Sequence, residues 1–343
     1  METVSKHCCE ALNQKPLEAD IKRILEELKE GKSFLVLSHQ NPEGDALGST
    51  LAIAFALKSM GKSVTTFNQD GVPDNLMFLP GAHDVSTSLS PDGRYDVILA
   101  LDCGDPELLG NTFARWRKSI GKSPSIIVID HHETNKGFGK HNYVDPKASS
   151  AGEMIYRLLR KIPVEITPAI ATHIYTAILC DTGSFRYSNT THRAFKIVEE
   201  MVRKGADPCE ISQHVFETQP LRRIKLLALV LNTLEVTPDG KVASVTILRE
   251  MYDKTGARKE DAEEFINYTR SIEGVEVGIL FREVKENKFR ISFRSKRSVD
   301  VANIAQEFGG GGHHSASGCS VEGTLEESKE KVLGAVRRHI TTT

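Results

Sequence analysis

Four short apolar stretches in the first half of this chain each end beside histidine or carboxylate residues. They are Phe34–Leu37, Val97–Leu101, Ile126–Ile129 and Ala169–Cys180. The first three have the length of buried strands, and their apolar residues are continuous rather than alternating. Such strands, with helical segments between them, indicate a parallel sheet covered on both faces. Because open α/β sheets place their ligand sites at the carboxyl ends of the strands, we expect the polar residues there to converge.

Helical periodicity separates these strands and continues beyond them. Helices are predicted over 18–31, Ala46–Met60, 150–161, 168–180 and 190–204, with a further strand at Val64–Phe67. A helical run from Ile211 to Leu231, interrupted near Pro220, leads to a second group of elements. Its predicted strands are Val242–Leu248, Val275–Arg282 and Lys288–Arg294, and its predicted helices are 259–272, 299–307 and 324–339.

A chain of 343 residues suggests two domains. We predict an α/β protein with a parallel-sheet catalytic domain at 18–190 and a helical linker at 191–235. A smaller α/β domain at 236–343 is expected to face the first across a cleft.

The composition limits the partners of the protein. Lys and Arg number 44 against 46 Asp and Glu, so the net charge of −2 gives no global basic surface for polymeric nucleic acid. A nucleic-acid substrate should therefore be short and held in a local pocket. The N-terminus has no apolar signal-peptide core, and no stretch of 18 apolar residues occurs. We expect a cytoplasmic protein with no membrane partner.

The first polar cluster combines one imidazole with two carboxylates. His39, Glu43 and Asp45 follow the strand Phe34–Leu37 and precede a predicted helix. This ligand set suits Mn²⁺ better than Mg²⁺, because imidazole favours the later metals and carboxylates favour hard ions. Taken alone, the same residues fit a polar turn equally well, with Asp45 as a helix cap.

Three further clusters favour a metal site. Asp102 ends an apolar strand, where an unpaired buried carboxylate would cost several kcal/mol, so a bridging metal ligand is the better interpretation. In the triplet Asp130-His131-His132, one histidine can bind metal while the other turns toward substrate, and the aspartate can orient an imidazole. Asp181 ends a helix, which alone is usually structural, but beside the other clusters it becomes a candidate ligand.

The order of these motifs resembles the DHH phosphoesterase superfamily. The matching residues are His39-x-x-x-Glu43-x-Asp45, the strand-end Asp102, Asp130-His131-His132 and Asp181-Thr-Gly-Ser-Phe185. Far downstream, Phe308-Gly-Gly-Gly-Gly-His313-His-Ser-Ala-Ser-Gly318 is similar to the glycine-rich signature of the DHH-associated C-terminal domain. The two-domain size is similar to the bacterial nanoRNase/pAp-phosphatase branch.

The resemblance implies two Mn²⁺ ions, with Mg²⁺ as the alternative, that activate water for in-line attack on phosphorus. It assigns the first ion to His39, Glu43 and Asp102, and the second to Asp45, Asp102, His131 and Asp181. It places His132 near the scissile phosphate as a proton donor or charge stabiliser, with Asp130 as an orienting residue. The family usually has Asp where this chain has Glu43, so the first metal is where the chain departs from the pattern. We expect activity to survive this change.

The second domain is expected to recognise the substrate. Consecutive glycines permit close backbone approach to a phosphate, and an ordered loop is favoured over a flexible linker because predicted structure flanks the run. The resemblance assigns the non-scissile phosphate to Gly310, Gly311, Gly312, His313, Arg294 and Ser295, with Arg186 as a further candidate.

We therefore expect a Mn²⁺-dependent hydrolase that cleaves short single-stranded oligoribonucleotides or dinucleotides to mononucleotides. A second expected activity converts 3′-phosphoadenosine 5′-phosphate (pAp) to AMP. The alternative is a phosphodiesterase for cyclic di-AMP or its linear product pApA, and a non-catalytic nucleotide-binding protein is the alternative from a different class. The sequence does not rank these substrates, and a homodimer is only the default assembly.

Overall fold

Two units, each with its own sheet and buried core, make up the chain. The computed structural model describes residues 18–120, 124–296 and 299–341. The first unit ends at Thr218 and the second begins at Gln219.

The first unit is built on a parallel sheet. Its strands are β1 (Ser33–Ser38), β2 (Ser63–Phe67), β3 (Val97–Leu101), β4 (Ser125–Asp130) and β5 (His141–Val144), in the spatial order β2-β1-β3-β4-β5. The interior strand β3 is buried along its whole length, which explains its continuous apolar sequence. The sequence analysis did not predict β5, because this four-residue edge strand has no continuous apolar run.

Helices cover both faces of this sheet. They are α1 (residues 18–30), α2 (Gly44–Ser59), α3 (Asn111–Ser119), α4 (Ala151–Leu159), α5 (Pro168–Asp181), α6 (His192–Arg203) and α7 (Pro208–Phe216). The apolar residues of α1, α2, α4 and α5 pack on one face, whereas α3 packs Phe113 and Trp116 on the other. The predicted parallel sheet with two covered faces is therefore confirmed.

The strand order positions the polar clusters. The carboxyl ends of β1 and β3 are neighbours, and the chain continues from them to opposite sides of the sheet, which creates a switch point. His39 follows β1 there, and Asp102 follows β3. At the opposite end of β3, Asp96 accepts the backbone N–H groups of Lys32 and Ser33 at 2.9 and 3.0 Å. Asp96 is thus structural, as its position predicts.

The second unit contains a mixed sheet. Its strands are β6 (Glu235–Val236), β7 (Val242–Ile247), β8 (Val277–Lys285), β9 (Lys288–Ser295), β10 (Gly311–His313) and β11 (Ala316–Glu322), in the order β10-β11-β9-β8-β7-β6. Only the pair β7–β8 is parallel among the described pairs. The helices are α8 (Leu221–Leu231), α9 (Arg249–Thr255), α10 (Ile266–Ser271), α11 (Val301–Gln306) and α12 (Leu325–Thr341). The predicted smaller α/β domain is confirmed.

Helices pack on both faces of the second sheet. Residues of α11 and α12 form one cluster with β8 and β9, and residues of α8, α9 and α10 form another with β7 and Leu280 of β8. Among the described helices, none combines the length and the apolar composition needed to cross a bilayer.

The glycine-rich segment belongs to this sheet. Gly311–His313 form β10, which pairs antiparallel with β11. A Cβ atom at Gly310 would lie 2.2 Å from the carbonyl oxygen of Gly318, so the close strand contact requires glycine. The segment is ordered, as predicted, but it is a hairpin strand where a loop was expected.

His173 in α5 gives the fold a pH-dependent stability. Its buried Nε2–H donates to the carbonyl oxygen of Pro80 at 2.9 Å, and burial lowers its pKa from 6.5 to about 4. The unfolded chain therefore binds this proton more tightly. We expect His173 to reduce the free energy of unfolding by up to about 3 kcal/mol as the pH falls from about 6.5 to 4.

The test is urea unfolding at pH 7 and pH 5. His173→Gln keeps a donor for Pro80 but removes the titration, so its stability should depend less on pH than that of the wild type. His83→Gln, at an exposed position, is the matched control and should leave the pH dependence unchanged. If the free energy of unfolding falls equally in His173→Gln and in the wild type between pH 7 and pH 5, groups other than His173 cause the loss.

Candidate active site

Asp102 lies at the centre of the converging side chains. Its backbone is left-handed, with a φ of 50°, and its N–H donates to Ile129 O at 2.9 Å. Such a conformation is unfavourable for a residue with a side chain, and strain of this kind is concentrated at functional sites. The carboxylate is 3% exposed, with Oδ2 at 3.5 Å from His39 Nε2 and Oδ1 at 3.5 Å from His131 Nε2. One carboxylate is therefore shared by two groups of side chains.

The first group consists of His39, Glu43 and Asp102, whose ligand atoms lie within 4.8 Å of one another. His39 Nδ1 is 2.7 Å from the carbonyl oxygen of Gln40, which assigns the proton to Nδ1 and leaves the Nε2 lone pair for this group. Oε2 of Glu43 lies 3.2 Å from Nε2, while Oε1 accepts the Ala46 N–H and caps α2. The longer side chain at position 43 thus reaches both the cap and the ligand group.

The second group is arranged around His131. Its Nε2 lies 3.6 Å from Asp45 Oδ2, 3.5 Å from Asp102 Oδ1 and 3.7 Å from Asp181 Oδ2. Side-chain exposure ranges from 0% for Asp45 to 28% for Asp181, so this group is more buried than the first, in which Glu43 is 51% exposed.

The donor atoms of both groups fit divalent cations better than a hydrogen-bond network. Asp102 Oδ1 is buried and accepts no hydrogen bond from any described residue. His131 Nε2 could donate only one bond, yet three carboxylate oxygens lie at nearly equal distances from it. Two ligand atoms that each lie about 2.1 Å from one ion are about 3–3.5 Å apart, close to the observed separations.

The charges of the site are strongly coupled. Burial lowers the pKa of His39, but neighbouring carboxylates, Asp102 foremost, outweigh it and raise the pKa to about 11. Burial likewise lowers the pKa of His131, and the surrounding carboxylates outweigh it and raise that pKa to about 10. Burial and the charges of Asp102 and Asp181 raise the pKa of Asp45 well above its usual value, and burial raises that of Asp181 to about 6. Buried carboxylates at this density need protons or metal ions to balance them.

Asp45 is held by the N-terminus of α4. Its Oδ2 and Oδ1 accept the N–H groups of Ala151 and Gly152 at 2.6 and 2.8 Å, as anions do at helix N-termini. A Cβ atom at Gly44 would lie 2.2 Å from Cys180 Sγ, so glycine lets α2 approach α5 beside Asp181. Sequence reasoning missed these contacts, because nothing in the sequence shows which helix N-terminus meets Asp45.

Replacing Gly152 by Ala should disturb both the fold and the metal site. The added Cβ would lie 2.4 Å from Ala177 Cβ, and relieving that clash moves α4 away from Asp45. We expect the free energy of unfolding to fall by about 1–3 kcal/mol and the Mn²⁺ affinity to fall as well. Urea unfolding and a Mn²⁺ titration followed by electron paramagnetic resonance measure the two effects.

Gly334→Ala in α12 is the matched control. There the nearest atom to an added Cβ is Arg338 Nη1 at 3.9 Å, so this substitution should be neutral or stabilise by up to about 1 kcal/mol. Unchanged stability and Mn²⁺ affinity in Gly152→Ala would contradict the assigned support of Asp45 by α4.

Asp130 orients His132 rather than His131. Its Oδ1 accepts from His132 Nδ1 at 2.7 Å and from the His131 backbone N–H at 2.9 Å, and its Oδ2 accepts from Asn135 Nδ2 at 2.6 Å. The hydrogen bond to Asp130 raises the pKa of His132. His132 is also near Asp102 and His131, but its Nδ1 is already engaged by Asp130, so Nε2 is the ring nitrogen left for a further partner. Asn135 adds a further contact that holds Asp130 in place, and sequence reasoning missed this residue.

Asp181 is held by a second asparagine. Nδ2 of Asn189 lies 2.9 Å from Asp181 Oδ2 and 3.1 Å from its backbone oxygen. Sequence reasoning missed Asn189, because a single asparagine in a polar loop carries no periodic signal. Arg186, in the loop between them, is exposed and donates through Nε to Gly183 O at 2.6 Å.

The residues predicted to bind phosphate in the second unit lie on β9 and on or beside β10, with β11 between the two strands. Arg294 of β9 is opposite Ala316 of β11, which pairs in turn with His313 of β10. Ser295 is buried, and its hydroxyl donates to the carbonyl oxygen of His314 at 3.3 Å. The side chain of His313 lies outside the described part of the chain.

Comparison with known proteins agrees with this geometry. The DHH family N-terminal domain matches residues 33–178, and the DHHA1 domain matches residues 239–342. The bifunctional oligoribonuclease and PAP phosphatase NrnA of Thermus thermophilus is 32% identical over 307 residues, which cover 89% of this chain and 90% of that protein. The NrnA protein of Bacillus subtilis is 28% identical over 295 residues, covering 84% and 89%.

A solved structure shares the fold over nearly the whole chain. The crystal structure of an exopolyphosphatase-related protein from Bacteroides fragilis has a TM-score of 0.85 and 28% identity, covering 94% of this chain and 96% of that one. With both domain matches and a relative above 30% identity along most of its length, this chain belongs to the metal-dependent DHH phosphoesterase family, as its motif order predicts.

Proposed function

We propose that this protein is a phosphoesterase that hydrolyses short oligoribonucleotides to mononucleotides and converts pAp to AMP. The observation that carries the proposal is the pair of histidine–carboxylate groups that share the buried Asp102. The names of the relatives from T. thermophilus and B. subtilis, which combine oligoribonuclease and PAP phosphatase, support this substrate class.

Two metal ions are assigned to the two groups. His39, Glu43 and Asp102 would hold the first, and Asp45, Asp102, His131 and Asp181 the second. Bound cations supply positive charge that stabilises the reacting phosphate and lowers the pKa of the attacking water. Mn²⁺ is proposed over Mg²⁺ because each group mixes imidazole with carboxylate.

His132 acts on the substrate side of the centre. Asp130 holds its Nδ1, and its side chain is 45% exposed, so Nε2 can approach a phosphoryl or leaving-group oxygen. The imidazole there donates a hydrogen bond or a proton, and the negative Asp130 stabilises its charged form. Asn135 restrains the other oxygen of Asp130 and keeps this pair in position.

The first unit is proposed to carry out the chemistry and the second to bind the non-scissile phosphate. Arg294 offers a bidentate donor, and the backbone of Gly311 and Gly312 lies two strands away in the same sheet, directly after Gly310. Ser295 supports the hairpin beside Arg294, and His313 and Arg186 remain candidate contacts. The cytoplasmic location and the homodimer also stay predictions from the sequence.

The deciding experiment is an activity panel with Mn²⁺, Mg²⁺ or EDTA. The substrates are a five-nucleotide RNA, pAp, pApA and cyclic di-AMP. We expect metal-dependent release of mononucleotides from the RNA and of AMP from pAp. Turnover confined to cyclic di-AMP and pApA would favour the phosphodiesterase alternative. Nucleotide binding without any turnover would favour a non-catalytic protein.

A further inference from the structure

Helices α8, α9 and α10 cover one face of the second sheet over β7 and β8, and the same face stays open along β9 and β11. Residues of β9 alternate between two faces. Phe289, Ile291 and Phe293 are buried against α11 and α12. The residues that point the other way are exposed or half-buried: Lys288, Arg290, Ser292 and Arg294. This open face includes Arg294, the proposed phosphate ligand. The other charged side chains on the same face could therefore contact the part of a substrate that extends beyond Arg294.

Arg290 carries an uncompensated charge on this face. Lys288, the preceding residue of β9 on this face, is opposite Glu322 of β11 and forms an ion pair with it at 3.2 Å. Arg290 is instead opposite Ser320 of β11 and Arg282 of β8, and it forms no ion pair with any residue that the structure describes. Like charges in directly paired positions destabilise a sheet. This pairing is understandable if an anion binds over Arg290.

On the β8 side Ser292 is opposite Leu280, which packs with α8, α9 and α10, so a path between Arg290 and Arg294 runs over β9 and β11, where the paired side chains are small. Ser292 lies between the two arginines on the same face, and its partner on β11 is Gly318. Four residues of a strand span about 13 Å, which exceeds one nucleotide step of a single strand. A dinucleotide therefore cannot contact both arginines, whereas a longer oligonucleotide can follow the strand from one to the other.

We propose that Arg290 binds a backbone phosphate of longer oligoribonucleotides, beyond the phosphate held by Arg294. The inference rests on the proposed function and adds a subsite that responds to substrate length. Arg290 and the Ser320 hydroxyl supply the donors, and binding there is electrostatic, so it should weaken as salt rises.

The test compares three single variants on two substrates. Arg290→Ala should raise the KM for a five-nucleotide RNA about five- to tenfold at low salt, with kcat unchanged, and leave the KM for pApA within about twofold. Arg294→Ala should raise both KM values. Lys288→Ala is the matched control on the same strand face, and because Glu322 already neutralises its charge it should change neither.

Binding measured without turnover separates this subsite from the proposed reaction. Fluorescence anisotropy of the five-nucleotide RNA on Asp102→Asn protein, with and without Arg290→Ala, should show weaker binding and a salt slope smaller by about 0.7. If the wild type cleaves neither RNA nor pApA, the proposed function fails, and anisotropy still tests Arg290. Equal effects of Arg290→Ala on both substrates, or no effect on RNA binding, would overturn the subsite.

Discussion

Replacing Asp102 by Asn is expected to lower kcat on short RNA by at least about 1,000-fold while the protein stays folded. The carboxylate belongs to both ligand groups, so the substitution weakens both metal sites at once. Substitution of a residue that hydrogen-bonds to a metal ligand typically lowers metal affinity or activity by about 10–100-fold. Loss of a ligand shared by both groups should have a larger effect. The amide keeps the size of the side chain and removes one negative charge that acts on Asp45.

Steady-state kinetics with Mn²⁺, circular dichroism and a Mn²⁺ titration test this expectation. Asp96→Asn, at the other end of β3, is the matched control. Its carboxylate accepts two backbone N–H groups far from the metal ligands, so the variant should lose about 1 kcal/mol of stability but keep its kcat. Retained turnover in Asp102→Asn would disprove the two-metal assignment.

The convergence of the candidate ligands was predictable because most of them follow strand ends. Most of the candidate ligands stand at or shortly after the end of a stretch with a clear apolar pattern, and a parallel sheet brings such ends together. His39 and Asp102 needed only this argument. Asp181 ends a helix rather than a strand, and it became a candidate ligand only beside the other clusters, since a helix end alone does not say where it points.

The supporting residues were not predictable, because their contacts depend on packing between distant segments. Asn189 reaches Asp181 across a turn, and α4 presents its first N–H groups to Asp45 more than 100 positions away in sequence. Similarly, the hairpin of β10 and β11 has too little apolar sequence to be distinguished from a loop. The hairpin is defined by its pairing with the neighbouring strand β9, which the sequence pattern does not show.

Removing the imidazole of His132 should lower kcat by about 100- to 10,000-fold without lowering the Mn²⁺ affinity. Its Nδ1 is committed to Asp130, so we expect the ring to act on the substrate side and not in metal binding. Asp130→Asn should have a smaller effect, about 10–100-fold, because the amide oxygen can still accept the bond but no longer carries the charge. The two variants together therefore separate the role of the ring from the role of its orientation.

His131→Ala provides the contrast, since its Nε2 faces three carboxylates and its loss should weaken Mn²⁺ binding directly. Electron paramagnetic resonance of bound Mn²⁺ distinguishes the two neighbouring histidines, because only His131→Ala should release the ion. If His132→Ala releases Mn²⁺ equally, the ring is a third ligand beside Asp102 and His131. That result would make the Asp130 hydrogen bond a support for metal binding instead of proton donation.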